Sequence, residues 1–407
     1  MRATFRSLRG RNYRIWAMGA LVSNVGTWMQ RTAQDWIVLT MLTDHSATAV
    51  GIVMGLQFGP QMLLLPITGL AADRLDRRKL LMCTQAMMGL LAAVLGLLTL
   101  SGLVHLWHVY VFAFLLGCTS AFDAPARQTF VSELVGEEDL PNAVGLNSAS
   151  FNAARMIGPA SAGVLIAGMG AGWVFLLNAA SFVAVLVSLR RLSIPDLHRR
   201  AASPRGASGL AEGAIYVWKR PDLKAALLML FVFATFGLNF PIFISTMAVG
   251  VFHLGASAFG LLSSAMAIGS VTGALMSAGR AQPQFRFLVL AASVFGGGCL
   301  LAAASPNEAV FACVLVVLGL CAQTFNTTTN TLVQLGTEPA MRGRVMAILL
   351  ALLLGGTPLG APLIGYVADT CGARWAMVVG AAAGALVAAI GMLYLRRAGP
   401  KASQAAA

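Results

Sequence analysis

The chain has 407 residues, 58% hydrophobic and 11% charged, with a mean hydropathy of +0.78 and a formal net charge of +13. A soluble domain carries about 25% charged residues, so this composition excludes a water-soluble fold and calls for a bilayer. In a soluble chain the excess of base would point to nucleic acid; here its distribution along the sequence assigns it to membrane topology instead.

Stretches of about 20 mostly apolar residues, the length of a spanning helix, fall near 15–42, 49–71, 80–100, 107–127, 143–168, 172–191, 223–250, 256–279, 286–304, 308–330, 345–368 and 374–395. The basic N-terminus (Arg2, Arg6, Arg9, Arg11, Arg14) precedes an apolar stretch longer than the core of a cleaved signal, so it reads as a retained first span. Most connections are short. The exception, 193–222, holds Pro195, His198, Arg199, Arg200, Ser203, Pro204 and Arg205 and reads as a cytoplasmic linker between bundles at 1–192 and 223–397. Within it, Leu210, Ala214, Ile215, Val217 and Trp218 have the spacing of a short interfacial helix. Residues 398–407 read as a short cytoplasmic tail. The expected fold is all-α and integral to the membrane, with about twelve transmembrane helices. All but three of the 28 Lys and Arg lie at the termini or in alternate loops, the exceptions being Arg31, Arg155 and Arg374. That asymmetry predicts both termini in the cytoplasm.

The two halves resemble each other. Gly158, Gly163 and Trp173 recur as Gly360, Gly365 and Trp375, and Thr129 and Val131 recur as Thr331 and Val333, all at one constant offset. Such internal duplication is a transporter signature. The six cysteines form no CxxC pair and read as small packing residues rather than a disulfide or metal framework.

After the second span come Gly69, Asp73, Arg74, Asp76, Arg77, Arg78 and Lys79. The basic run is a cytoplasmic anchor; Gly69 offers a place for another helix to approach, and Asp73 suits a basic partner or a helix N-terminus. This loop resembles the signature of the major facilitator superfamily, although Asp76 stands where that family usually has Gly. Arg342-Gly343-Arg344 after the tenth span and Pro125-Ala126-Arg127 at the end of the fourth are similar to the branch containing enterobactin and macrolide exporters. Gly158-Pro159 and Gly163 resemble the fifth-helix motif of the family's antiporters, partially, because Ala154 and Ala162 replace glycines of that motif. The resemblance implies two pseudo-repeats of six helices, alternating access about a central site, and a cavity lined by helices 1, 4, 7 and 10.

Ionisable and polar groups inside spans are the functional candidates. The first span carries a stripe of Asn24, Thr27, Arg31 and Gln34, with Asp35 one turn beyond Arg31 at about 6 Å. Asp35 is either a proton site or half of a structural pair. The tenth span carries Gln323, Thr327, Asn330 and Gln334, suited to hydrogen bonding with a substrate, and Asn239 in the seventh joins the pathway set. Arg155, near Ser148 and Asn152, either receives an anionic substrate or holds a carboxylate of another helix. Asp123 and Arg127, four residues apart, read more readily as an interhelical lock.

There is no GxxxxGK[ST] phosphate loop and no HExxH, so no ATP site, metal or cofactor is expected, and no enzymatic activity. The expected function is secondary active transport: proton-coupled export of small amphipathic, drug-like or siderophore-like molecules across the cell membrane, by a chain able to work as a monomer. Uptake of a nutrient or siderophore is the alternative, and a non-transporting membrane sensor the alternative of another class.

Overall fold

The computed structural model describes residues 5–198, 210–278 and 284–404. Among them there are helices and no strands. The α-helices are α1 (Arg11–Thr40), α2 (Ala47–Leu63), α3 (Leu65–Arg74), α4 (Arg77–Leu100), α5 (Leu106–Leu134), α6 (Leu140–Met169), α7 (Ala171–Arg190), α8 (Leu210–Lys219), α9 (Pro221–Val232), α10 (Phe240–Thr246), α11 (Ala256–Ala278), α12 (Phe285–Ala303), α13 (Glu308–Gly336), α14 (Pro339–Cys371) and α15 (Ala373–Gln404). Nine helical stretches among the described residues are long and apolar enough to cross a membrane, with Pro221–Val251 counted as one. α1 and α6 are long enough but carry the polar residues that lower their hydropathy, and the second span is divided at Leu64, ahead of Pro66, into α2 and α3.

Local signals account for the boundaries. Asp76 accepts a hydrogen bond from the Lys79 amide at 3.0 Å and caps α4, so the turn that differs from the family pattern is closed by a side chain. Asn307 caps α13 in the same way through the Val310 amide. Gly170 and Gly372, at φ +87° and +103°, end α6 and α14, and α7 and α15 begin at the next residue. Their amides donate to Ile166 and Ala368 at 2.9 and 3.0 Å. These paired endings share the offset of the sequence repeat. A left-handed backbone is open to glycine at little cost and strains other residues.

Several segments extend beyond the sequence-based bounds. α5 runs to Leu134, so Pro125, Asp123 and Arg127 lie inside the helix rather than at its end. α14 begins at Pro339, so Arg342-Gly343-Arg344 forms its first turns and is not a loop. Apolar length alone stops at the first polar residues, whereas backbone hydrogen bonding carries the helix on until a cap or an extended residue appears. Gly69 was expected to admit a neighbouring helix, but a Cβ built there meets nothing within 4 Å. The side chain of Asp73, residues 199–209 of the linker with Arg199, Arg200, Ser203, Pro204 and Arg205, and residues 405–407 lie outside what is described.

The chain divides into two compact units. The first comprises Met1–Asp44, Pro60–Arg205 and Gly255–Ser264; the second comprises His45–Gly59, Gly206–Leu254 and Ala265–Ala407. In the first, α1 packs against α6 and α7, and α4 against α5 and α7. Tyr13 and Trp16 of α1 are buried against Leu81, Phe130, Leu134, Val185 and Leu189, with Trp16 edge-on to Phe130 at 5.4 Å. In the second, α12 packs against α13 and α15, and Phe233 centres an aromatic group, its ring centroid 4.7 Å from that of Phe295 and 4.4 Å from that of Phe325.

Lipid chains are as apolar as leucine, so helices in a bilayer associate through close packing of small residues. In the first unit, a Cβ on Gly163 would stand 2.5 Å from the Ala256 carbonyl oxygen, and one on Gly260 would collide with the Pro159 carbonyl. In the second unit, a Cβ on Gly51 would collide with Ala361 and one on Gly365 with Ala47. The sequences that make these contacts correspond: Ala256-Ser257-Ala258-Phe259-Gly260 opens α11, and Ala47-Thr48-Ala49-Val50-Gly51 opens α2. The second contact has an addition. Asp369 of α14 accepts from the Ala47 and Thr48 amides at 2.6 and 2.9 Å and from Ser46 Oγ at 2.9 Å, capping α2 from another helix.

α8 lies against α14 and α9. Glu212 pairs with Arg344 at 2.8 Å, while Ile215 and Trp218 are exposed. Between α8 and α9, Arg220 donates to both carboxylate oxygens of Asp222 at 3.0 and 2.7 Å, and these bonds raise its pKa above the ordinary guanidinium value.

Candidate functional site

The polar stripe of α1 divides between two clusters. Asn24 belongs to the first. Its Oδ1 accepts from Arg127 Nη1 at 3.0 Å. Arg127 also donates from Nε (3.1 Å) to Asp123 Oδ2 and pairs with it through Nη2 (3.0 Å). Asp123 Oδ1 accepts from Thr84 Oγ1 at 2.8 Å and from Gln85 Nε2 at 2.7 Å. Asp123 is buried, and the network joins α1, α4 and α5. A buried carboxylate with several donors and an adjacent guanidinium has its hydrogen-bonding capacity met by its surroundings.

The second cluster lies further along α1 and crosses to α6. Arg31 and Arg155 both approach the indole of Trp28, with guanidinium carbons 5.1 and 5.7 Å from the ring centroid, within cation–π range. Phe151 of α6 meets the same indole edge-on at 5.8 Å. Gly158 makes the approach possible: a Cβ there would lie 2.5 Å from Trp28 Cβ and 3.2 Å from the Val25 carbonyl oxygen. Arg155 sits three residues before Gly158, and Asp35 one turn beyond Arg31. Trp28, Arg31, Asp35 and Arg155 are all half-buried. Thr27 is half-buried too, and Gln34 is buried. Asn152 donates to the Ser148 carbonyl at 2.9 Å, within its own helix.

In the second unit, Gln323 donates to Thr327 Oγ1 at 3.2 Å, and Asn326, Thr327 and Asn330 are half-buried on the same helix; Gln334 is exposed. Asn239 is fully buried between a π-helical turn (Phe233–Gly237) and α10. Its amide donates to the Thr235 carbonyl at 2.7 Å, covering a backbone group left open by the helix break. Pro159 offers its carbonyl at the Gly260 contact.

In the basic loop, Arg77 pairs with Glu133 of α5, and Arg78 donates from Nε to the Leu189 carbonyl at 2.7 Å at the end of α7. A cation there suits the negative end of a helix dipole. Arg74 is exposed. Sequence reading missed Trp28, Phe151, Thr84, Gln85, Asn326 and Asp369. Trp28, three residues before Arg31, and Phe151, four before Arg155, carried a helical-spacing signal for their neighbours; the Asp369 cap joins positions too distant for any local pattern.

A family model described as transmembrane secretion effector matches residues 2–406. The chain belongs to this family of major facilitator transporters. As a member, it is a multi-pass membrane transporter of small molecules. It is similar to the staphyloferrin A transporter of Staphylococcus aureus, at 28% identity over 86% of this chain and 87% of that one. It is also similar to macrolide efflux protein A of Streptococcus pyogenes, at 24% identity over 90% and 92%, and to the multidrug efflux pump Tap of Mycolicibacterium fortuitum, at 27% over 87% and 88%. Among solved structures, a bacterial homologue of the human lysosomal transporter Spinster, inward-facing, shares the fold at a TM-score of 0.75 and 15% identity, covering 94% of this transporter and 97% of that chain. A POT family transporter crystallised with 5-aminolevulinic acid does so at 0.76 and 13%, covering 97% of both.

Proposed function

We propose that this transporter is a secondary active exporter, coupled to protons, that moves small amphipathic molecules out of the cell by alternating access. The observation that carries the reading is the ionisable cluster of Arg31, Asp35 and Arg155, built into long helices whose neighbours are apolar. Charges within membrane helices are costly and mark substrate or ion paths. Asp35 is the proton carrier in this reading, because a carboxyl inside a span is a group able to take up and hand on a proton along an ion path. Gln323, Thr327 and Asn330 supply neutral hydrogen bonds to the substrate. Asp123–Arg127, Arg77–Glu133 and the loop from Gly69 through Asp73 and Arg74 to Arg78 brace the first bundle and participate in conformational change. Gly158, Pro159 and Gly163 give α6 the close contacts along which helices slide. Twelve spans, cytoplasmic termini, a plasma-membrane location and a monomeric working unit complete the proposal, with α8 lying in the cytoplasmic interface through Ile215 and Trp218.

The macrolide and multidrug pumps among the relatives support export. The staphyloferrin A transporter keeps a siderophore-like substrate in view, and with it the second reading, uptake. The test is energised efflux from cells overexpressing the protein, loaded with dyes, macrolides and siderophores, with and without a protonophore. Protonophore-sensitive loss of a compound above the empty-vector control is expected. Accumulation of a compound instead would replace export by uptake.

A further inference from the structure

We infer that the corner where α8 turns into α9 binds the headgroup of an anionic phospholipid, through Lys219 and Lys224 beside the Trp218 indole. The inference rests on the interfacial position of α8 proposed above, and its experiment reads that position separately.

The corner originates in the sequence. Pro221 cannot continue α8 and holds the residue before it extended: Arg220 sits at φ −112° and ψ 101°, and α9 starts at the proline. Across this bend Lys224 of α9 comes over Trp218 of α8, with Nζ 3.7 Å from the ring centroid, a cation–π contact. An ammonium has three donors and no acceptor, so the ring leaves donors for an anion.

The acids of the corner are engaged by arginines. Asp222 accepts from Arg220 with both oxygens, and Glu212 pairs with Arg344 of α14 at 2.8 Å. Lys219 and Lys224 are exposed and have no carboxylate partner among the described residues. In sequence, the stretch 199–224 holds six Lys and Arg against these two acids. Base gathered beside a span in this way suits anionic lipid.

The apolar surroundings select a lipid over free phosphate. α8 lies on α14 through Gly213, where a Cβ would stand 3.0 Å from Arg344 Cβ and 3.2 Å from Ile348 Cδ1. The opposite side of α8 carries Ile215 and Trp218, and Trp218 is 73% exposed. Lys224 and Leu228 share a face of α9 one turn apart, and Leu228 is exposed too. From the corner onto α9 there follow two ammonium groups, an indole and an aliphatic side chain. A phospholipid has matching parts in the same order: phosphate, glycerol and acyl chain. Trp and Lys take such positions at the membrane–water boundary. Phosphatidylglycerol fits this order, whereas phosphatidylcholine brings a cation of its own toward the lysines.

The test uses the purified full-length protein in nanodiscs of phosphatidylcholine and phosphatidylglycerol in equal amounts, without any gradient. Native mass spectrometry reads the lipid that stays bound. One phosphatidylglycerol is expected to be retained over phosphatidylcholine by about 25-fold, since each lysine near an anionic lipid is worth about fivefold. Lys219→Gln and Lys224→Gln each lower this preference about fivefold, the double variant abolishes it, and Lys224→Arg keeps it. Lys79→Gln, at the start of α4, leaves it unchanged. Glycerol 3-phosphate in millimolar excess, a headgroup without chains, does not displace the lipid. The proposal is overturned if the wild type shows no preference, if the double variant keeps it, if Lys79→Gln lowers it as much as Lys224→Gln, or if glycerol 3-phosphate displaces the lipid. Quenching of Trp218 by chain-brominated lipids, taken as the difference between wild type and Trp218→Phe, locates α8. Quenching by brominated phosphatidylcholine without a preference for phosphatidylglycerol removes the lipid site and leaves α8 in the interface. Quenching by neither lipid removes both.

Discussion

Asp123 is the place where the energetics of the first unit are most open to measurement. Asp123→Asn keeps an oxygen for Thr84 and Gln85 but turns an amide toward the Arg127 guanidinium, where Oδ2 now accepts at 3.0–3.1 Å. The variant loses charge-assisted bonds worth about 1.5–3 kcal/mol. It also leaves a cation whose side chain is only 18% exposed without its counter-charge, a situation that typically costs about 3–5 kcal/mol in total. Asn24 and the Trp16 ring, 5.9 Å from the guanidinium carbon, soften the loss, so the lower end, about 3 kcal/mol, is expected. Arg127→Met alone is similarly damaging, because it strands the carboxylate. The double variant Asp123→Asn/Arg127→Met removes both charges and should recover to within about 1 kcal/mol of wild type. The coupling in this cycle is then about 5 kcal/mol. The assay is the heat-resistant monodisperse fraction in detergent, read by size-exclusion chromatography for the four proteins, with a fall in midpoint of order 10 °C for the single variants. If the two single effects simply add, to within about 0.5 kcal/mol, the pair is not a unit and the reasoning fails.

Other outcomes follow from single positions. Asp35→Asn abolishes protonophore-sensitive efflux while elution and melting stay as in wild type; unchanged efflux removes Asp35 from the coupling. Gly170→Ala and Gly372→Ala, each with open space around the added methyl, cost only the strain of a positive-φ extended backbone nearly confined to glycine, about 1–3 kcal/mol, measured as a lower melting midpoint. Gly158→Ala, which forces a methyl to within 2.5 Å of Trp28 Cβ, lowers both stability and transport. Gly69→Ala meets no neighbour and preserves the midpoint or raises it through better helix propensity, about 0.5–1 kcal/mol; a matched fall in midpoint would contradict the open surroundings of Gly69.

The membrane character and the helical content were legible in the sequence because the bilayer imposes length and apolarity on every span. The repeat was legible at Gly158 and Gly163 because close backbone contact admits little but glycine. The ends of α5 and α14 were not, since helices continue through polar residues until a cap intervenes. The stripe on α1 was read as one surface, yet Asn24 turns to Arg127 and Arg31 to Trp28: periodicity says which residues share a face, and only the neighbours decide what each one meets. Trp28 and Phe151 escaped notice for the same reason, since aromatic residues in an apolar helix stand out only when a cation is seen beside them.

The cap on α2 has a counterpart position that lacks it. Along the repeat, Asp369 corresponds to Ala167, while Gly365 corresponds to Gly163. A chain that arose by doubling starts with two equal joints, and a carboxylate at one of them makes the pair unequal. The joint with Asp369 carries a charged group on neutral amides, so its strength varies with salt and with the composition of the adjoining aqueous phase; the joint with Ala167 is held by neutral bonds, among them Ser264 Oγ donating to the Met156 carbonyl at 2.7 Å. The two halves of this protein are therefore copies in outline but not in responsiveness, and a change in the medium bathing Asp369 acts on one joint and spares its twin.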